Sequence, residues 1–492
     1  MPSSTNLSAN HLSPDHSARW GALALIVTAQ FMVILDVAIV NVALPSIKTD
    51  LGFSEADLQW VVSAYAILFG GTLLLGGRLA DLLGRRRLFV TGLLLFAASS
   101  LLCGIAWSDW SLVGFRAVQG LGGALLAPAA LSLLMTSYAE GRDRNLALGI
   151  YGAASGSGAA AGVLLGGVLT SYLSWSWIFF VNVPVGLAAA LLAPVVLTES
   201  RPDLGHRHFD LRGALTVTGG LMLLVYALTR ATTDGWTSPV TLSLIGAAAA
   251  LIATFVLVEL RSPWPLLPMR IFRSRTVSVA NVAMTIVGAV TFSEFFLLTL
   301  YLQDVLRYSA IQSGVAFVAF ALTVVVVSNV AQVVVNRVGV RATLTAGLLA
   351  SAASVAWLTR LPVDGHYFPD LFPAFVVGGA GLGLSFVPVT IASLTGVDRS
   401  DAGVASGLVN TSRQIGGAIG IAAATAIAAH ATGPSPGVAA VDHGYRVALF
   451  ALGGLLLVGA AAVATLIRPP APSVAEPRDV PGADPVVLEE AA

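Results

Sequence analysis

Residues 58–107 read LQWVVSAYAILFGGTLLLGG, then RLADLLGRRR, then LFVTGLLLFAASSLLCGIAW. Two twenty-residue runs without a charge flank a ten-residue turn that holds Asp81 and four arginines. A membrane-crossing helix needs about 20 mostly apolar residues. The stretch therefore predicts two spanning helices joined by a tight turn, on the side of the membrane where basic residues collect.

The same pattern extends over the chain. Runs poor in charge fall at about 20–45 (interrupted by Asp36), 58–77, 88–107, 111–136 (interrupted by Arg116), 146–170, 177–197, 213–230, 238–258, 276–303 (interrupted by Glu294), 312–335, 342–360, 371–394, 404–429 and 446–467. The uncharged stretch 145–198 is too long for one span and divides at Ser171–Ser176, where Ser and Trp mark an interface. Fourteen such runs cannot all be buried core helices of a soluble protein. Composition agrees: 56% of the 492 residues are hydrophobic and 11% charged, against roughly a quarter charged in soluble domains.

Several function classes drop out. Lys+Arg and Asp+Glu are 26 each, so no basic excess exists to bind nucleic acid. Lys48 is the sole lysine; Thr49 follows it, but Ile47 precedes it, so there is no P-loop and no ATP-driven pump of that type. The single cysteine, Cys103, excludes an internal disulfide and a Cys-cluster metal site. No metal cluster or nucleophile–base constellation points to an enzyme, and no cofactor is expected. Gly156-Ser-Gly158 with Ala161 matches a loose dinucleotide fingerprint, but it lies inside an apolar helix rather than at a strand-to-helix turn.

Arginine placement sets the expected topology. With the N-terminus cytoplasmic, 20 basic residues fall inside, Arg399 and Arg413 among them, and 5 outside. Both termini are thus expected in the cytoplasm of a multi-pass protein of the cell membrane. The expected organisation is a cytoplasmic tail 1–19, a six-helix bundle 20–197, a linker with two extra spans 198–275, a second six-helix bundle 276–467, and a Pro- and acid-rich disordered tail 468–492. The halves look like copies. Gly84 aligns with Gly339, which sets Asn336 opposite Asp81, and Pro128 of span 4 aligns with Pro388 of span 12. These offsets are 255 and 260 residues, and a shift between them, 258, carries Asp36 onto Glu294.

An ionised side chain at the centre of a bilayer costs about 2.5–3.5 kcal/mol on insertion scales and marks a working site. Asp36 and Glu294 are accordingly expected to face a shared cavity and exchange protons, since removal from water disfavours the charged form of a carboxyl group. Arg116 lies at a depth close to Asp36 and would tune when it protonates. Gln30, Asn41, Gln119, Asn281 and Asn410 are candidates for the substrate cavity. Gly77, Asp81, Gly84, Arg85 and Arg86 form a candidate gating loop. There Asp81 can accept hydrogen bonds from an adjacent helix N-terminus or from arginine. The glycines of span 5, which include Gly149, Gly158, Gly162, Gly166 and Gly167, allow close helix approach.

These residues resemble the motifs of the major facilitator superfamily, and within it the fourteen-span drug:proton antiporters of EmrB/QacA type. Gly77-Arg-Leu-Ala-Asp81-Leu-Leu-Gly84-Arg85-Arg86 is similar to the span 2–3 signature. Leu35-Asp36-Val-Ala-Ile-Val-Asn41-Val-Ala-Leu-Pro45 resembles the span 1 signature of the fourteen-span group, with Ala38 in place of the usual Thr. Arg116-Ala-Val-Gln119-Gly120 resembles the span 4 signature whose arginine is implicated in proton coupling. Gly149-x8-Gly158-x3-Gly162-Val163-x2-Gly166-Gly167 resembles the antiporter signature, with Val163 in place of its usual Pro. Trp175-Ser-Trp177-Ile-Phe-Phe-Val-Asn182-Val-Pro184 and Phe209-Asp210-Leu-Arg-Gly213 are further family-like stretches. The resemblance implies an all-α membrane protein of major facilitator fold, two pseudo-symmetric six-helix bundles with two inserted helices. It would export hydrophobic drugs or antibiotics, cationic ones included, by alternating access driven by the proton gradient. Its partners would be a small hydrophobic molecule, protons and the bilayer. The alternative is a same-fold proton-coupled carrier of a narrow metabolite such as an amino acid, sugar or siderophore.

Overall fold

The computed structural model describes residues 16–53, 55–58, 60–138, 141–199, 210–263, 265–398, 401–432 and 437–467. The expected tail 468–492, most of the tail 1–19 and residues 200–209 of the linker lie outside the described residues. Among the described residues there is no strand. The first six helices are α1 (His16–Leu51), α2 (Trp60–Leu83), α3 (Arg85–Gly104), α4 (Asp109–Ser137), α5 (Arg142–Tyr172) and α6 (Trp177–Val196). Two more follow, α7 (Leu211–Asp234) and α8 (Pro239–Arg261). The last six are α9 (Arg275–Leu300), α10 and α11 (together Ala310–Leu358), α12 (Phe372–Leu394), α13 (Ala402–Thr432) and α14 (Val438–Leu466).

Thirteen helical stretches among the described residues are long and apolar enough to cross a membrane. One of them, Ile311–Leu358, has 48 residues, roughly 72 Å at 1.5 Å per residue against a hydrocarbon core of about 30 Å. It is two helices end to end, because Gly339 has φ 83° and ψ 166°. Counting α10 and α11 separately gives the fourteen spans the sequence predicts. Gly84, between α2 and α3, has φ 106° and ψ 133°. A side chain rarely adopts positive φ, so both tight hairpins depend on a glycine at the aligned position.

Local chemistry sets the helix starts. Ser108 and Ser111 form a reciprocal capping box at α4, as do Ser309 and Gln312 at α10. The Asp210 carboxylate accepts the Gly213 N–H at 2.8 Å to start α7. Helices α1–α6 pack on one another, and α9–α14 do likewise. The two sets meet along a seam where α2 lies on α13 and α5 lies on α10. The inserted α7 rests on α2 and α13, and α8 packs mainly on α7.

Candidate functional site

Asp36 is fully buried in α1, and both of its carboxylate oxygens accept hydrogen bonds. Its Oδ2 accepts from Arg116 Nη1 at 2.8 Å. Its Oδ1 accepts from Gln119 Nε2 and Asn182 Nδ2, each at 2.8 Å. Gln119 also donates to Ser100 Oγ at 2.7 Å, and Arg116 Nε donates to the Val61 carbonyl at 3.0 Å. The guanidinium lies 4.3 Å from the centre of the Tyr65 ring, within cation–π range. One acid thus ties α1 to α4 and α6, with α2 and α3 held through the second layer. Two expectations change. Asp36 does not face a cavity shared by the halves, since its partners all belong to the first half. Gln119 belongs to this sealed network and not to a substrate wall. Asn182 and Ser100 carried no site assignment in the sequence. Asn182 gave the better signal, an amide inside an apolar run.

Glu294 in α9 has the opposite surroundings. Its Oε1 is buried without a hydrogen-bond partner. A narrow cavity beside it is lined by Thr291, Phe320, Ser351, Gly378 and Ser385, so Glu294 also lies within its own half. The repeat shift of 258–260 carries Arg116 and Gln119 onto residues 374–379, which read AFVVGG. Where the first acid has three donors, the second has alanine, phenylalanine, valine and glycine opposite it. The two carboxyls are equivalent in position and unlike in bonding.

At the Gly84 end of the seam, Asp81 accepts the N–H groups of Gly403 and Val404, each at 3.1 Å, and a bond from Arg85 Nη2 at 2.9 Å. The carboxylate therefore caps the first turn of α13 from the other half, where helix-end N–H groups lack intrahelical partners. Gly77 makes this possible, because a Cβ there would strike the Gly403 carbonyl. Arg86 turns away from Asp81 to the end of α6. Its backbone N–H donates to Glu199 at 3.2 Å and its Nη1 to the Leu197 carbonyl at 3.1 Å. Arg270 pairs with Asp401 at 2.7 Å just ahead of α13. The hydrogen bond and charge of Asp401 raise the guanidinium further into its always-charged range. The repeat-related contact is lighter: Asn336 of α10 accepts from Asn145 of α5 at 2.7 Å.

The glycines of α5 serve both packing partners of that helix. Gly158, Gly162 and Gly166 lean on α1, where a Cβ at Gly162 would come 2.7 Å from the Leu35 carbonyl. Gly149 and Gly156 lean on α10, and Gly167 approaches Ile311. Helix α5 runs unbroken through position 163, where the sequence pattern has Pro. Gln30 of α1 donates to Ser155 at 3.0 Å and accepts from the Tyr151 hydroxyl at 2.7 Å, both on α5. Asn281 accepts from Ser412 at 3.2 Å between α9 and α13. Asn410 is buried and bonds the Ser406 carbonyl one turn back. Asn41 is exposed and bonds the Val37 carbonyl of its own helix. One residue was misplaced by charge counting. Arg413 is not in a cytoplasmic loop; it lies well inside α13.

The description "Major Facilitator Superfamily" matches residues 26–421. The puromycin resistance protein pur8 of Streptomyces alboniger is 42% identical over 452 residues, 89% of this chain and 90% of that protein. The cephamycin export protein CmcT of Amycolatopsis lactamdurans is 42% identical over 427 residues, 86% and 88% of the two chains. The lincomycin resistance protein of Streptomyces lincolnensis is 34% identical over 466 residues, 94% of each. Among solved structures, the human organic anion transporter MFSD10 aligns with TM-score 0.62 over 90% of this chain and 99% of that one. At 15% identity that likeness speaks to the fold alone.

Proposed function

The chain belongs to the Major Facilitator Superfamily, and from that premise we propose that it is a proton-coupled exporter of hydrophobic small molecules of the antibiotic class. Near-full-length likeness to resistance and export proteins supports the export half of this reading. One observation carries the proton half: Glu294 is a buried acid with an oxygen free of any protein donor, beside a cavity. Such a group can gain or lose a proton without breaking a protein hydrogen bond. Asp36 is placed differently: it is paired to Arg116 and accepts two further donors, so protonation there would leave a buried guanidinium without its counter-charge. Asp36 acts instead as a positioning residue that holds α1, α4 and α6 as one body.

The proposed membrane is the cell membrane, with both termini cytoplasmic and the Gly84 and Gly339 turns on the cytoplasmic side. The Asp81 latch then holds that side closed. Protonation of Glu294 from outside and release of the proton inside would accompany loss and re-formation of the latch. The compound crosses between the two halves, without ATP and without a cofactor.

The test is transport in proteoliposomes with an imposed proton gradient, with a cephamycin, which carries a carboxylate, and puromycin, which carries an amine, as probes. The parent should accumulate at least one of them in a gradient-dependent way. Glu294→Gln should reduce gradient-driven transport about 100-fold, as loss of a proton-transfer group does elsewhere. Full coupling retained in Glu294→Gln would remove the acid from the mechanism. Resistance profiling in a pump-deficient host then separates a drug exporter from a carrier of one metabolite.

A further inference from the structure

The coupling scheme leaves one charge without a task. Arg413 is eleven residues beyond the first residue of α13, about 17 Å along the helix at 1.5 Å per residue, and so within the apolar depth of the protein. Helices from both halves surround it. The phenols of Tyr65 in α2 and Tyr151 in α5 lie close enough to feel its charge. The Phe386 ring of α12 has its centre 5.9 Å from the guanidinium carbon. Tyr151 is in turn bonded to Gln30 of α1.

Among the described residues no carboxylate pairs with Arg413, and no protein acceptor takes its side-chain N–H groups. Part of its surface stays open. The other acids within spans are engaged or distant from this seam. Asp36 is held by Arg116, Glu294 lies in the core of the second half, and Glu259 accepts two backbone N–H groups at the end of α8.

A guanidinium cannot discharge by losing its proton. An ionic group within a span pairs with something, and by default marks a ligand path. Here the protein supplies two phenols and an aromatic face but no counter-charge. The planar fork of N–H groups fits a carboxylate in bidentate fashion, and the neighbouring rings suit an apolar body.

We infer that Arg413 is an anion-binding group on the seam between the halves, and that the exported compound is an amphiphilic anion, a carboxylate or comparable acid on an aromatic or aliphatic body. This rests on the export reading above and replaces the cationic option drawn from the sequence. An anionic lipid headgroup presents the same chemistry as a free acid, so the test separates them.

The full chain is placed in nanodiscs of neutral phosphatidylcholine and titrated with three probes that share one fluorophore: dansylglycine (anion), dansylglycinamide (neutral) and dansylcadaverine (cation). Dansylglycine should bind on the order of tenfold more tightly than the amide, as expected for a charged hydrogen-bonded partner. In Arg413→Gln that preference should fall to within about twofold, while the amide binds as before and so reports an intact fold around the site. Arg413→Lys keeps the charge without the fork and should retain part of the preference. If the anion is bound no better than the amide or the cation, or if Arg413→Gln leaves the preference in place, the proposal is overturned. Repeating the titration with phosphatidylglycerol in the disc assigns the site to a lipid headgroup if the anion is displaced, and to a free acid if it is not. No proton gradient enters these measurements, so failure of proton-driven export and failure of anion preference are separately visible.

Discussion

Asp36 and Glu294 occupy matching places in the two halves, and their substitutions should behave oppositely. Asp36→Asn leaves the Arg116 guanidinium buried without its counter-ion, in a network in which both side chains are essentially inaccessible. Breaking one side of a buried pair costs about 3–5 kcal/mol, so thermal and denaturant unfolding in detergent should show a large loss of stability. Asp36→Asn combined with Arg116→Gln should recover part of it, because the stranded charge is gone. Glu294→Gln removes no protein hydrogen bond from Oε1, so its stability should stay within about 1 kcal/mol of the parent. A single Asp36→Asn as stable as the parent would contradict this contrast. The sequence made the acids and Arg116 legible, because a charge inside a long apolar run is conspicuous at any register. It did not make Asn182 and Ser100 legible as partners, since those contacts depend on how α3 and α6 are rotated toward α1. Arg413 was readable in principle. It lies within the run 404–429, but counting it with the loop arginines hid its depth.

The proposed gate lies where paired helices of the two halves meet. The α2–α3 and α10–α11 hairpins share a positive-φ glycine, yet they reach across the seam with different strength. Asp81 brings a charge to two backbone N–H groups of α13, whereas Asn336 shares one neutral bond with Asn145. Hydrogen bonds to charged groups contribute about 1.5–3 kcal/mol, against about 1 for neutral ones. Asp81→Asn should therefore open the α2–α13 contact more readily than Asn336→Ala opens the other. Gly77→Ala should act like Asp81→Asn, by forcing the Gly403 carbonyl away. A reporter is available one turn further along α13 at Ser406, which is fully buried, and Cys103 is buried too. With Ser406→Cys as background, maleimide labelling should rise on the order of tenfold in Asp81→Asn and in Gly77→Ala. Labelling unchanged in both would mean that the latch does not hold this end closed. The hairpin turns and the glycine faces of α5 were legible, because glycine spacing is a property of one segment. Which partner each face meets was not, because α5 divides its glycines between α1 of its own half and α10 of the other.

Across the whole molecule, the repeat visible in the sequence becomes a seam whose main crossing contacts are α2 on α13 and α5 on α10. Asp36 and Glu294 turn inward, each to the interior of its own half, whereas Asp81, Asn145, Asn336 and Arg413 lie where the halves meet. Sequence reasoning put the acids on the shared surface because symmetry fixes that the two are equivalent, not which way both point. If transport is a rocking of one half against the other, motion must separate the helices at the Gly84 and Gly339 end. The Asn145–Asn336 contact joins α5 to α10 there at 2.7 Å, and Asn336 is exposed. Asn145→Cys with Asn336→Cys, joined by a short reducible bis-methanethiosulfonate, should fasten the halves in the closed arrangement at that end. The cross-linked protein should keep its anion binding from the opposite side, lose proton-driven transport in proteoliposomes, and regain it on reduction. Each single variant treated with the same reagent controls for modification alone. Transport that continues in fully cross-linked protein would show that α5 and α10 need not part, and that the halves do not rock about this seam.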